Sequence, residues 1–291
     1  MSKQVTIIGS GFSGLSAACY LAQQGFEVTV LEKHDRVGGR ARQFESQGFV
    51  FDMGPSWYWM PDIFETFFAD FGKKVSDYYE LERLSPSYRV FYNDGPLDIP
   101  SDMDELYAMF ERVEKGSAEK LKQFLKEAEY KYEVGMHDLV YRPGISLTEF
   151  MDARFLKGLF KLDVLTSMSK HIRKFFSNPK LIQLLEFPVL FLGALPQDTP
   201  ALYSLMNYAD MVGGTWYPKG GMVKIVEAMH RLALELGVTF VFNADVSKIS
   251  VQDKKANVVK TDVDHTAFDA LVSSADYRFT DKVLLDPAYS N

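Results

Sequence analysis

Hydrophobic positions change their period in blocks along this chain. Val5 to Ile8 form a short, almost continuous apolar run of strand length, and Leu15, Ala18, Cys19 and Ala22 then recur at helical spacing before Gly25. A second strand pattern, Glu27 to Leu31, ends in Glu32. From about Trp57 to Trp216 the pattern is mainly helical. Leu106, Phe110 and Val113 make one apolar stripe; Leu121, Phe124, Leu125, Ala128 and Tyr132 make another, with charges on the opposite face. Asn93-Asp-Gly lies between Tyr88-Arg-Val-Phe-Tyr and Leu97-Asp-Ile, so one small strand pair is expected within this stretch. After Gly220 and Gly221 the alternation returns. It predicts a helix from Met222 to Leu236, stopped by Gly237, then strands from Val238, Val246, Val258 and Ala270, with a turn at Asp253-Lys-Lys-Ala. Strands alternating with helices at both ends predict an α/β fold with a parallel sheet, interrupted by a mainly helical insert.

The first strand runs directly into Gly9, Gly11 and Gly14. That is the form of a dinucleotide-binding turn: one glycine for the bend, one for close approach of the backbone to a pyrophosphate, and one for packing of helix on strand. The free N–H groups of the helix start then face phosphate. Three glycines alone are a weak signal, but Glu32 follows at the end of the second strand, where an acid accepts hydrogen bonds from ribose hydroxyls. The next segment, Lys33-His-Asp-Arg-Val-Gly-Gly-Arg, has no place in a plain nicotinamide fold. Gly38 and Gly39 would let the backbone pass close to a pyrophosphate and ribityl chain, with Arg40 neutralising charge, which favours FAD. A glycine turn with a solvated arginine is the simpler alternative.

Gly9-Ser-Gly-Phe-Ser-Gly, Glu32-Lys, Val37-Gly-Gly-Arg-Ala-Arg and Phe51-Asp-Met-Gly-Pro-Ser closely resemble the N-terminal FAD-binding region of bacterial-type phytoene desaturases, the carotenoid desaturases of the flavin amine-oxidase superfamily. The resemblance continues at Leu139-Val-Tyr-Arg-Pro-Gly, Leu184-Leu-Glu-Phe-Pro-Val-Leu-Phe-Leu-Gly and Tyr217-Pro-Lys-Gly-Gly-Met. It implies a Rossmann-like FAD-binding domain from residues 1–56 and 218–291, around a substrate and membrane-associated domain at 57–217. It implies cofactor contacts from Gly9, Gly11, Phe12, Ser13, Gly14, Glu32, Lys33, Gly38, Gly39, Arg40, Gly54 and Pro55, with the backbone of Val246 against the adenine. The implied reaction is desaturation of phytoene or a related carotenoid by hydride transfer to flavin N5, in carotenoid biosynthesis. Members of the family continue well past the equivalent of Asn291, so the chain is expected to lack a C-terminal part and, with it, a normal desaturase site.

Composition narrows the alternatives. A net charge of −7 argues against nucleic acid as partner, and no apolar run reaches eighteen residues, so any membrane contact is expected to be peripheral. Met-Ser-Lys-Gln leads straight into the first strand, leaving no room for a signal peptide and pointing to a cytoplasmic location. The single Cys19 lies in an apolar helical repeat and reads as a buried thiol. Arg154 to Lys180 carries seven Lys or Arg against one Asp, with Phe155, Leu159, Met168, Ile172 and Phe176 among them. Such a run suits either docking on an anionic bilayer or a helix buried along one face. Leu181 to Leu195 is too short and broken to span a membrane and suits the wall of an apolar pocket.

The five histidines are scattered without metal-ligand spacing, so no metal is expected, and no nucleophile stands beside a base, so no catalytic residue is named. Two rivals remain open: an amine or protoporphyrinogen oxidase of the same superfamily, whose glycine motifs would look alike, and an inactive flavin-binding or membrane-associated scaffold.

Overall fold

The computed structural model describes residues 3–142, 145–146, 162–262 and 265–290. Its main elements begin with β1 (Gln4–Ile8), α1 (Phe12–Gln23), β2 (Glu27–Leu31), β3 (Gln43–Ser46), β4 (Phe49–Asp52) and α2 (Pro61–Ala69). Next come β5 (Tyr88–Tyr92), β6 (Gly95–Ile99), α3 (Met103–Val113), α4 (Ser117–His137), α5 (Met168–Ile172), α6 (Pro179–Glu186) and α7 (Leu205–Met211). The chain closes with α8 (Val223–Glu235), β7 (Thr239–Val241), β8 (Val246–Gln252), β9 (Lys255–Thr261), β10 (His265–Ala267) and β11 (Ala270–Ser273).

Two compact units result. The first comprises Met1–Tyr58, Phe64–Glu82 and Tyr217–Asn291. Its centre is a parallel sheet in the order β11–β1–β2–β7, with Val5 opposite Ala270 on one side and Val28 on the other. Four consecutive residues of β1 are buried, as a central parallel strand covered on both faces requires. On α1 the buried face is Gly14, Leu15, Ala18 and Cys19, and the helix packs against α8, where the Cys19 thiol reaches the Met229 carbonyl at 3.8 Å. Burial pushes that thiol up to about 12, so it is inert. A separate antiparallel sheet, β8–β9–β10, turns at Asp253 and Lys254, both left-handed at φ 50° and 61°.

Residues 64–82 depart from the expected boundary, for they pack in this first unit rather than in the helical insert. The reason is aromatic: Phe64 lies 6.0 Å from Phe12, and Phe67 and Phe71 lie 5.8 and 5.0 Å from Tyr20. Those rings pack on Phe12 and Tyr20 of α1.

The second unit comprises Trp59–Ile63 and Arg83–Trp216. The expected hairpin forms, with Tyr92 opposite Gly95. Asp102 caps α3 by accepting from the amides of Asp104 and Glu105, and Asn178 caps α6 with Pro179 in its first turn. The stripes of α3 and α4 meet in one core, where Leu106, Phe110, Leu121 and Phe124 are buried beside Leu181 and Leu185 of α6. Each such side chain contributes roughly 1.5–3 kcal/mol. Leu181, Ile182, Leu184 and Leu185 are therefore core rather than pocket wall, whereas Leu190, Phe191, Leu192 and Leu195 just beyond them are exposed.

Of the basic run, Arg154 to Lys161 lies outside the described residues. Its described remainder forms the five-residue α5 and enters α6 at Pro179, and Met168, Ile172 and Phe176 are buried in the same core. Arg173 pairs with Glu186, while Lys170 and Lys174 are exposed. Among the described residues no helix is long and apolar enough to cross a membrane.

Candidate cofactor site

The carboxyl ends of β1 and β2 meet at one edge of the parallel sheet, and the glycine-rich turns gather there. Gly9 has φ 91°, a conformation that side-chain-bearing residues rarely adopt, and its amide bonds the Leu31 carbonyl at 2.8 Å. Gly14 is fixed by space instead. A Cβ there would stand 2.1 Å from the Gly9 carbonyl oxygen, so helix and strand could not approach as they do.

The second turn lies directly against the first. Gly38 donates its amide to the Ser10 carbonyl at 3.0 Å, and a Cβ on Gly39 would come within 3.1 Å of the Gly11 Cα. Two stretches of bare backbone thus face each other at the start of α1. No side chain caps that helix, whose first amides lack intrahelical partners. An uncapped helix start in a cradle without side chains fits the pyrophosphate of a dinucleotide.

Glu32 is buried beside this cradle. Its Oε2 accepts from the Ser10 amide and hydroxyl at 2.9 and 2.6 Å, and its Oε1 accepts from the His34 amide at 3.0 Å. These bonds hold the carboxylate rigid while leaving Oε1 with acceptor capacity for a hydroxyl donor. Val246 is buried with Ile8 and Leu31 at the same sheet edge. Gly54 also belongs to the cluster, because a Cβ there would meet the Arg40 carbonyl oxygen at 2.3 Å.

The remaining expected residues stand further out. Phe12 leads α1 but turns its ring to Phe64, and the Ser13, Lys33 and Arg40 side chains are exposed. Pro55 is half-buried. Three supporting residues went unread in the sequence. Ser10 orients Glu32; Ser274, just after β11, gives its hydroxyl to the Ile8 and Gly9 carbonyls at 2.8 and 3.0 Å. Asp52 ties the β3–β4 hairpin to the start of α8, accepting from Gln43 at 2.8 Å, the Met222 amide at 3.1 Å and the Tyr217 hydroxyl. Burial works to raise its pKa, but these hydrogen bonds outweigh burial and hold the carboxyl below its ordinary value. Ser274 follows a strand in a Ser-Ser-Ala-Asp run, a signal that only its place beside β1 makes meaningful.

A model of the family described as flavin containing amine oxidoreductase matches residues 12–290. The carotenoid 3,4-desaturase of Haloarcula japonica is 42% identical over 285 residues, which cover 97% of this chain and 58% of that protein. The 4,4'-diapophytoene desaturase (4,4'-diaponeurosporene-forming) of Staphylococcus aureus is 34% identical, over 94% of this chain and 55% of that protein. The chain thus spans little more than half the length of either. Among solved structures, a putrescine oxidase bound to putrescine matches with a TM-score of 0.64 at 18% identity, over 99% of this chain and 61% of that one, a likeness of fold alone.

Proposed function

The chain belongs to the flavin containing amine oxidoreductase family, and from that premise we propose that it carries the FAD-binding part of a carotenoid desaturase. The observation that carries the cofactor assignment is the contact between the two glycine turns beside buried Glu32. Gly9, Gly11 and the amides of Phe12 and Ser13 would hold the pyrophosphate, Gly38 and Gly39 would close over it, and Glu32 would take the ribose hydroxyls. Lys33 and Arg40 would stand at the exposed rim, and Val246 would line the adenine side. When bound, FAD supplies the hydride acceptor, at N5.

The substrate class comes from the relatives, two of which are named as desaturases of carotenoid-type polyenes. A polyene offers no charge to grip, so the chain's task is to hold it by apolar contact and exclude water. Such a substrate resides in lipid, and Lys170 and Lys174 on the exposed side of the basic run suit an anionic bilayer surface.

Purified chain should retain flavin, and Glu32→Gln should raise its dissociation constant for FAD about tenfold, the loss of roughly one charge-assisted hydrogen bond. Under anaerobic conditions phytoene in liposomes, rather than an amine, is expected to perturb the flavin spectrum, whether or not the flavin is fully bleached. Bleaching by an amine and not by phytoene would replace the substrate reading, and absence of flavin would remove the cofactor reading.

A further inference from the structure

Within the helical unit, α4 buries a lysine. Lys131 is 0% exposed, and its ammonium reaches three acceptors: Asp163 Oδ2 at 3.1 Å, Ser204 Oγ at 3.2 Å and His171 Nε2 at 3.3 Å. Three acceptors match its three hydrogens. The Ser204 hydroxyl spends its own proton on the Ala201 carbonyl at 2.8 Å, which leaves a lone pair for the lysine. His171, 2% exposed, accepts only if its imidazole is neutral with the proton on Nδ1, and Nδ1 has no hydrogen-bond partner.

Asp163 and His171 line a cavity of about 410 Å³, with Lys120, Glu127, Lys174 and Phe175 among its walls, while Lys131 and Ser204 lie buried behind them. Glu127, Asp163 and His171 offer ligand atoms within 4.8 Å of one another, a spacing that a metal ion accepts. The cluster already carries its own cation, however. The Lys131 ammonium holds both Asp163 and His171, and Lys174 adds a second positive charge, so the arrangement is complete without a metal.

We propose that Lys131, Asp163 and His171 form an acid-released latch that holds residues 162–176 against α4. At neutral pH the imidazole takes a proton from no one and accepts one N–H of the lysine. Protonation sets two cations 3.3 Å apart where little water reaches them. From α4, His171 faces Lys131, Glu127 and Lys120; from the preceding turn it faces Asp163, and from just past the end of its own helix Lys174. The two carboxylates, at 3.6 and 3.7 Å, favour the charged ring. Burial and Lys131 outweigh them and push the imidazole down to about 4. In the opened segment His171 regains its ordinary value near 6.5. Acid therefore favours opening as pH falls from 6.5 towards 4, and the closed latch is at full strength above that window. The released segment carries Lys170 and Lys174. If the bilayer reading above holds, an anionic surface that concentrates protons would favour this release, but the latch itself does not depend on that reading or on flavin.

Hydrogen exchange of the 291-residue chain at pH 7.5 and 5.0, corrected for intrinsic rates, tests it. Opening of peptides within 162–176 should rise about 30-fold at pH 5.0 while peptides of α1 stay unchanged. His171→Gln keeps an acceptor that does not titrate and should abolish the rise; Lys131→Met removes the opposing cation and should reduce it. No rise in the native chain, an undiminished rise in either variant, or equal opening of the whole helical unit would overturn the latch.

Discussion

The glycine cradle and the lysine cluster place buried polar groups by opposite means. In the first unit the site is made by leaving side chains out: bare backbone at Gly11 and Gly39 lets two turns touch, and Glu32 is held by the His34 amide two residues on and by Ser10, 22 positions back. In the second unit a full charge is buried and then satisfied by side chains 32, 40 and 73 positions away, at Asp163, His171 and Ser204. The glycines of the first arrangement are legible in the sequence, although packing brings its two turns together. The second is completed by an ionisable imidazole, so it is the one that pH can undo.

The contrast breaks most sharply at Gly14. A valine there collides with backbone 2.1 Å away, which no rotamer relieves, and should cost about 4 kcal/mol or more with loss of flavin. Urea unfolding with flavin content as a second readout checks it. Next in size, Lys131→Ala should destabilise by about 3 kcal/mol, since it empties a buried volume and strips Asp163 of its partner. Lys131→Met keeps the volume and should cost less than half as much; equal losses would mean that charge pairing, not packing, dominates there. The smallest effect concerns the exposed face of the same segment. Lys170→Glu with Lys174→Glu should weaken co-sedimentation with anionic liposomes several-fold and leave thermal stability within about 0.5 kcal/mol. Unchanged co-sedimentation would remove those lysines from any docking surface.

Much of the fold is legible from local pattern. The runs at Val5 to Ile8 and Glu27 to Leu31, the turn signal at Asn93-Asp-Gly and the stops at Gly25 and Gly237 correspond to elements found in the structure. The basic run leaves both readings open because helical spacing cannot tell a face turned to lipid from one turned to the core; Met168, Ile172 and Phe176 are buried in the core. Phe64, Phe67 and Phe71 likewise show apolar spacing without showing which unit they cover.

By itself the sequence determined where the backbone must be bare and where an acid must end a strand, because those requirements act over a few bonds. It also placed Lys131 in register with Phe124 and Ala128 on the buried face of α4, a position easily passed over as solvated. Only the tertiary structure decided that Gly38 rests on Ser10, that Ser274 braces the Gly9 turn, and that Asp163, His171 and Ser204 converge on one ammonium. The reason is physical: a buried charge is tolerable only where several distant acceptors meet it, and such meetings are set by packing rather than by spacing along the chain.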